Sequence, residues 1–343
     1  MKKICYRIVA LIAIACLFHA VSYAQMRNFI GSNGRVIEAE FLGFDEATQI
    51  VKLRLKDGRE QNVKLDLFAA ESQQWIKSGG KAADNPFGDG APAGDVGKAG
   101  DRKILTIKNV EYAFRWCPSG TFMMGSPSSE ERRQNNETQH RVTLSHGFWM
   151  LETEVTQQMW ESVMRNNPSD VNGAKRPVEK VSWDDSQRFI RMLNDWGVAP
   201  AGFKFSLPTE AQWEYACRAG TTTTFHFGNA LSREQANFGQ GGQGVPPSEL
   251  QKTIEVRSYS ANTWGLYDMH GNVWEWCLDW QGDYPSGAVT DPTGVPTGDR
   301  RVIRGGGWVD PASVCRSAAR QGNGSPSTRN ALFGFRLALV RAE

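Results

Sequence analysis

The apolar and polar positions divide the chain into a short apolar start, a β-patterned segment, a polar linker and a long aromatic-rich remainder. In the β-patterned segment, residues 35–41 and 50–55 alternate in the way expected of half-buried strands. Asp57-Gly58 then predicts a hairpin turn, and residues 61–65 predict a third strand. We expect residues 25–77 to form a small β-domain that closes most simply as an SH3-like barrel.

Two helices are predicted farther along the chain from their terminal residues. Ser182 precedes a helical stretch that ends at Gly197. Thr209 and Gln212 have the spacing of a capping box, and Gly220 ends the helix that follows them. Twelve Trp and 35 Gly indicate that the rest of the fold is rich in loops and anchored by aromatic side chains.

The apolar start has the features of a secretory signal. Residues 8–18 are apolar, follow a basic start and are too few to span a bilayer. Ser22-Tyr23-Ala24 fits a cleavage site, so we expect residues 1–24 to be removed and the chain to be exported to the periplasm or the cell exterior. A lipoprotein signal with Cys16 as the lipidated residue is the alternative, and the residues before it match that pattern poorly.

The charge balance gives no reason to expect binding to nucleic acid or to an anionic membrane. The chain carries a formal charge of +2, and loss of the three basic signal residues leaves the mature chain near −1. Four cysteines remain after cleavage, and none of them has the CxxC spacing of a zinc or thioredoxin-type site. Export makes disulfides possible.

A segment rich in Gly, Ala, Pro and Asp over residues 78–103 predicts a flexible linker between two domains. It contains Asn85, Pro86, Phe87 and Asp89 in the order Asn-Pro-Phe-Gly-Asp. The β-domain before it resembles the SH3-like homology domain of an endocytic adaptor, a family that binds Asn-Pro-Phe-x-Asp peptides. The resemblance implies self-association through this segment; chance occurrence of the motif is the alternative.

The remainder, residues 104–343, contains a series of motifs in a fixed order. They are SGTFMMGS at 119–126, LPTEAQWEYACRAG at 207–220, NTWGLYDMHGNVWEW at 262–276, RVIRGG at 301–306 and FGFRL at 333–337. In this order they resemble the formylglycine-generating enzyme, or sulfatase-modifying factor, family. The resemblance implies an α+β, C-type-lectin-like fold with little regular structure, and an oxidase that converts a substrate cysteine to formylglycine with copper.

The chain departs from that family where the chemistry takes place. Active members use a Gly-Gly-Ser motif and two cysteines that hold Cu(I), a soft ion that favours thiolates. Here Gly307 stands in place of the serine and Asp310 in place of the first cysteine, while Cys315 falls at the second cysteine by direct count. Cys315 also aligns near a structural cysteine of the family, and we expect that structural role. The family resemblance then implies a Cys217–Cys315 disulfide.

The resemblance also implies a calcium site in the loop that starts at Asp268. Its ligands would be the side chains of Asp268 and Glu275 and the carbonyl oxygens of Gly271 and Val273, since hard oxygen ligands suit calcium. The alternative is that both carboxylates accept backbone hydrogen bonds in the turn.

Loss of the catalytic serine and cysteine together favours a protein that binds a ligand rather than one that oxidises a thiol. On this hypothesis the chain is an exported scaffold or binding module with an unknown protein or peptide ligand. Its displayed positions are Trp308, Asp310, Asn323, Ser325 and Asn330. The first alternative is a formylglycine-generating oxidase. An iron-dependent sulfoxide synthase is disfavoured, because five histidines in the chain are too few for its clustered-histidine domain.

Overall fold

The computed structural model describes residues 26–30, 36–55, 57–68, 73, 76–77, 97–239 and 252–342. The expected signal peptide, its cleavage site and the Asn-Pro-Phe-Gly-Asp motif lie outside the described residues. The chain forms two compact units, residues 1–83 and 84–343. Within the described residues, no helix is both long enough and apolar enough to cross a membrane.

The first unit is a four-stranded antiparallel sheet in the order β1-β2-β3-β4. Its strands are β1 (Met26–Ile30), β2 (Val36–Asp45), β3 (Ile50–Leu55) and β4 (Glu60–Lys64). The three strands predicted from alternation are confirmed, and β1 was not predicted. The described strands form a meander with β1 and β4 at its edges, and they do not show the closed SH3-like barrel that the pattern suggests.

A small apolar core stabilises this sheet. Phe29, Val51 and Leu53 are buried on one face, and Phe68 packs edge-on against Phe29 with ring centroids 5.8 Å apart. The hairpin between β3 and β4 turns at Gly58, whose φ of 81° explains the need for glycine there. The Asp-Gly turn predicted from the sequence is therefore confirmed.

The second unit is a mixed α+β domain whose described residues include three short α-helices. The helices are α1 (Gln157–Met164), α2 (Trp183–Asp195) and α3 (Glu210–Arg218). The predicted cap at Ser182 and the predicted capping box at Thr209 are confirmed, and the structure shows a capping box at both: the Ser182 and Thr209 hydroxyls accept hydrogen bonds from the Asp185 and Gln212 amides, whose side chains accept from the cap backbone in return. The helix α1 was not predicted.

In the part of this unit that the structure describes, twelve short strands make three small sheets. The first sheet has the order β10-β16-β9-β6-β5, the second β14-β13-β11-β15 and the third β12-β8-β7. The strands are β5 (Arg102–Ile107), β6 (Val110–Cys117), β7 (Gly120–Met124), β8 (His140–Leu144), β9 (Phe148–Leu151), β10 (Phe203–Ser206), β11 (Trp274–Trp280), β12 (Val289–Thr290), β13 (Arg301–Arg304), β14 (Arg320–Gly324), β15 (Phe333–Phe335) and β16 (Ala338–Arg341).

Aromatic side chains hold the sheets and helices together, as the composition suggests. Trp160 of α1 stacks on Phe189 of α2 with centroids 5.5 Å apart, and Phe335 of β15 meets both rings edge-on. Such pairs add to the hydrophobic gain from burying large rings. The core therefore fixes β11 and β15 side by side, and these strands flank the segment that carries the candidate site.

Candidate functional site

The candidate site is the loop that follows β13, over residues 305–315. Gly305 and Gly306 have φ values of 96° and 80°, so the chain turns in a backbone region that disfavours side chains. A Cβ at Gly306 would clash with the sulfur of Cys315, which packs directly against the turn. The glycines that gave the family motif therefore act by allowing this close approach.

Asp310 closes the loop through its side chain. One of its carboxylate oxygens, Oδ2, accepts hydrogen bonds from the Gly307 amide at 2.9 Å and from the indole nitrogen of Trp274 at 2.6 Å. Its backbone carbonyl accepts from the Gly239 amide at 2.7 Å. Burial raises the pKa of this carboxyl above its usual range. Asp310 thus serves as a structural hydrogen-bond acceptor within the loop.

Cys315 is a buried thiol. Burial, with the nearby Asp310 carboxylate, raises the pKa of Cys315 far above that of a free cysteine, so the thiol stays protonated at neutral pH. Within the described residues, no group of three His, Cys, Asp or Glu side chains is placed to hold a metal ion. A buried thiol and a hydrogen-bonded carboxylate do not match the two thiolates that Cu(I) favours, so copper does not fit the residues present here.

The predicted Cys217–Cys315 disulfide is not formed. Both residues are free, buried thiols, as are Cys117 and Cys277. The Cys217 sulfur faces the Ser317 hydroxyl at 3.7 Å, and burial raises the pKa of Cys217 to about 12. The position opposite Cys217 is therefore occupied by a serine.

His270 contacts both cysteines that were expected to pair. Its Nδ1 donates to the Cys315 carbonyl at 2.7 Å, and its Nε2 accepts from the backbone amide of His226 at 3.2 Å. The same Nε2 is 3.9 Å from the Cys217 sulfur. Burial with the neighbouring His226 keeps the pKa of His270 well below its usual value.

The candidate calcium loop contains its predicted acidic residues, but one of them is already fully engaged. Both Glu275 carboxylate oxygens contact the Arg336 guanidinium, the shortest contact being 2.7 Å, and Glu275 Oε2 also accepts from Trp213 Nε1 at 2.8 Å. Asp268 accepts from the Arg257 amide at 2.7 Å. Asp268 therefore accepts a backbone hydrogen bond, as the alternative to a calcium site predicts, whereas Glu275 forms a buried ion pair with Arg336.

A third buried carboxylate adjoins this loop and was missed from the sequence. Glu154 accepts from the Asn272 side chain at 3.0 Å through Oε1, while its buried Oε2 has no hydrogen-bond partner among the residues that the structure describes. Burial is the main cause that raises the pKa of Glu154 well above its usual value and that of Asp268 to about 6. Glu154, Asp268 and Glu275 thus all act on the Arg336 charge.

A network of buried arginines holds the base of the candidate loop. Arg304 bridges Glu210 at 2.7 Å and Glu214 at 2.6 Å on the inner face of α3, and Arg320 pairs with Glu210 at 2.7 Å. Arg316 pairs with Glu137 at 2.6 Å. These arginines lie in the same motif segment as the candidate loop, but their partners are about a hundred residues or more away, so spacing alone did not reveal them.

The predicted ligand surface is only partly assembled by the fold. Trp308 is half-buried, and Val309, which was not predicted, is exposed beside it. Ser325 and Asn330 are exposed on the connection between β14 and β15, where the neighbouring Leu332 packs close to Gly307. The backbone of Asn323 belongs to β14. The loop and this connection therefore meet at Leu332.

The fold and the site define a mixed α+β domain in which short strands and a buried arginine network present a glycine-rich loop. The chain belongs to the family described as sulfatase-modifying factor enzyme 1-like domains, whose model matches residues 108–341. It is similar to the formylglycine-generating enzyme of Streptomyces coelicolor, with 38% identity over 292 residues that cover 79% of this chain and 90% of that enzyme.

Other relatives match over shorter stretches. The formylglycine-generating enzyme of Mus musculus is 32% identical over 58% of this chain and 53% of its own length. Among solved structures, the chain is similar to Treponema denticola variable protein 1, with a TM-score of 0.59, 30% identity, and coverage of 69% of this chain and 98% of that one. PvdO from Pseudomonas aeruginosa gives a TM-score of 0.60 at 26% identity, covering 71% and 99%.

Proposed function

We propose that this chain is a binding member of the family and does not oxidise cysteine. The observation that carries the proposal is the pair of residues at the catalytic positions. Asp310 is tied to Gly307 and Trp274 by hydrogen bonds, and Cys315 is a buried, protonated thiol. The rim around Trp308 then serves as the ligand-contact surface of an exported, C-type-lectin-like scaffold for a protein or peptide.

The alternative function is a formylglycine-generating oxidase. It is favoured by the 38% identity to the Streptomyces coelicolor enzyme, which extends over most of both chains. This function requires a second soft ligand for copper, and the carboxylate at Asp310 is a hard oxygen ligand. The local chemistry therefore weighs against the alternative, while the overall similarity supports it.

A turnover assay separates the two functions. The purified mature chain is loaded with copper and incubated with a Cys-x-Pro-x-Arg peptide in air, with the Streptomyces coelicolor enzyme as the positive control. We expect mass spectrometry to find formylglycine only with the control enzyme. Formylglycine above the level of peptide with copper alone would overturn the proposed binding function. An Asp310→Cys, Gly307→Ser variant tests whether restoring both groups restores copper binding.

Calcium is proposed as the cation of the Asp268 loop. The unpaired Glu154 oxygen and the surplus of buried carboxylates over Arg336 support an added positive charge. Glu275 is engaged by Arg336, so Asp268 and the carbonyls of Gly271 and Val273, rather than Glu275, would be the readily available ligands.

The first unit is proposed to be an SH3-like peptide-binding module. A cavity of about 590 Å³ lies on it and supports this role. The cavity is lined by Phe41, Gly43, Phe44, Glu46, Gln49 and Lys77. The candidate ligand is the segment 85–89 of this chain or of a second copy. Comparing the NMR amide shifts of a Phe87→Ala variant tests it: changes confined to the neighbours of position 87 would refute the proposal.

A further inference from the structure

Three arginines from separate parts of the second unit converge on one buried carboxylate. The Glu152 Oε1 atom is 2.6 Å from Arg102 Nε and 2.6 Å from Arg115 Nε. Its other oxygen, Oε2, is 3.5 Å from Arg257 Nη2. Arg102 lies in β5 and Arg115 in β6, whereas Glu152 directly follows β9 and Arg257 lies in the segment before β11. Only the tertiary fold brings these four residues together.

The charges in this cluster do not balance. One carboxylate offsets one of three guanidinium groups, and within the described part of the chain none of the three arginines lies within ion-pair distance of another carboxylate. The Glu152 side chain is 2% exposed, whereas Arg102, Arg115 and Arg257 are 36%, 19% and 46% exposed. The cluster therefore presents an excess of positive charge to solvent above a buried counter-charge.

The backbone holds the arginines in place despite their mutual repulsion. Arg102 and Arg115 are directly opposed in the antiparallel pairing of β5 with β6, an arrangement that is destabilising for like charges. Arg257 has a φ of 65°, which is unusual for a residue with a long side chain, and its guanidinium lies 4.8 Å from the ring centroid of Tyr267. Strained and repulsive arrangements of this kind are often retained for binding.

Two further carboxylates compensate part of the charge of the cluster. Glu111 on β6 acts on Arg102 from a distance, and Asp268 accepts a hydrogen bond from the backbone amide of Arg257 and also interacts electrostatically with the charge of that arginine. Arg115 Nη1 donates a hydrogen bond to the Gly100 carbonyl at 2.9 Å, and this bond fixes the orientation of the guanidinium. The exposed donors of Arg102 and Arg257 therefore remain as the accessible part of the cluster.

We propose that Arg102, Arg115 and Arg257 form a binding site for a doubly charged oxyanion, namely a phosphate group. The three guanidinium groups outnumber the one carboxylate that they contact, an excess of positive charge that favours an anion, and the planar guanidinium presents paired N–H donors that fit phosphate oxygens. Glu152 acts as the positioning residue that gathers the arginines from below. The site involves residues other than those of the candidate loop, so it stands independently of the proposed binding function.

Isothermal titration of the whole mature chain with inorganic phosphate, at constant ionic strength in chloride, tests the site. We expect one saturable site, with an affinity about tenfold or more weaker in Arg257→Gln and in Arg102→Gln, because each loses a charge-assisted contact. Arg141→Gln is the matched control: Arg141 is exposed on β8 in a different sheet, and the same loss of charge there should leave the affinity unchanged.

Two further arms make the result decisive. Arg257→Lys keeps the charge but removes the paired donors, so its affinity should fall between those of the wild type and Arg257→Gln. Methyl phosphate distinguishes a phosphate monoester from the free ion: binding of both supports a phosphorylated ligand, and binding of inorganic phosphate alone supports the free ion. Absence of saturable binding, or an equal loss in Arg141→Gln, would overturn the proposal.

Discussion

Replacing Glu275 by Gln should strongly destabilise the second unit, whether or not calcium is present. The change removes the negative partner of Arg336, a guanidinium that is fully buried and contacts both Glu275 oxygens. Breaking a buried pair by removing one partner costs about 3–5 kcal/mol, because the remaining charge stays buried. Glu154 and Asp268 are close enough to compensate in part, which favours the lower end of that range.

The magnitude can be measured by thermal unfolding followed by tryptophan fluorescence. Every tryptophan except Trp75 lies in the second unit, so the signal reports mainly on that unit. For a domain of this size, about 3–5 kcal/mol corresponds to a fall in Tm of about 6–20 °C. Glu161→Gln, an exposed change on α1, is the control and should stay within about 1 °C. If the Tm of Glu275→Gln equals that of the Glu161→Gln control, the view that this ion pair organises the loop is refuted.

Three further predictions follow from the same contacts. Burial raises the pKa of Asp279 to about 8, so between about pH 4 and pH 8 the folded state holds a proton that the unfolded state releases, and the free energy of unfolding falls as the pH rises through this range. Asp279→Asn keeps an oxygen that can accept from the Glu210 amide, so urea titrations of this variant should show a smaller fall. Saturating calcium should raise the wild-type Tm relative to chelator, and Asp268→Asn should reduce the rise; equal melting of the wild type in both conditions would exclude the calcium proposal. Ser182→Ala should lower the stability by about 1 kcal/mol through loss of the α2 cap, whereas Ser327→Ala on an exposed loop should not.

Local features of this fold could be predicted because their causes are local. The capping boxes of α2 and α3 depend on residues three positions apart, and the β3–β4 hairpin depends on an adjacent Asp-Gly pair. Helix α1 was missed although Thr156 caps it, since its end is marked by Arg165 in a left-handed conformation instead of by glycine. The signal that could have found it was the threonine before an amphipathic stretch.

The disulfide prediction failed because it relied on an approximate alignment of an irregular loop with the family pattern. Cys315 is only two residues from Ser317, yet it is Ser317 whose side chain reaches Cys217, while Cys315 packs under Gly306. In a segment without regular structure, adjacent positions point in unrelated directions, so a shift of two residues decides which side chain meets a distant partner. His270 also contacts both segments, through its Nε2 at 3.9 Å from the Cys217 sulfur and its Nδ1 at the Cys315 carbonyl.

The arginine network holds the glycine-rich loop at both of its ends. Arg304 immediately precedes the loop and Arg316 immediately follows it, and both are anchored by buried glutamates at 2.6–2.7 Å. Asp310 closes the loop between them through Trp274. A substitution at an exposed position between these anchors, such as Val309, should therefore cost the fold little. This arrangement supports the proposed binding function, because an anchored loop keeps its shape while its exposed residues contact a ligand.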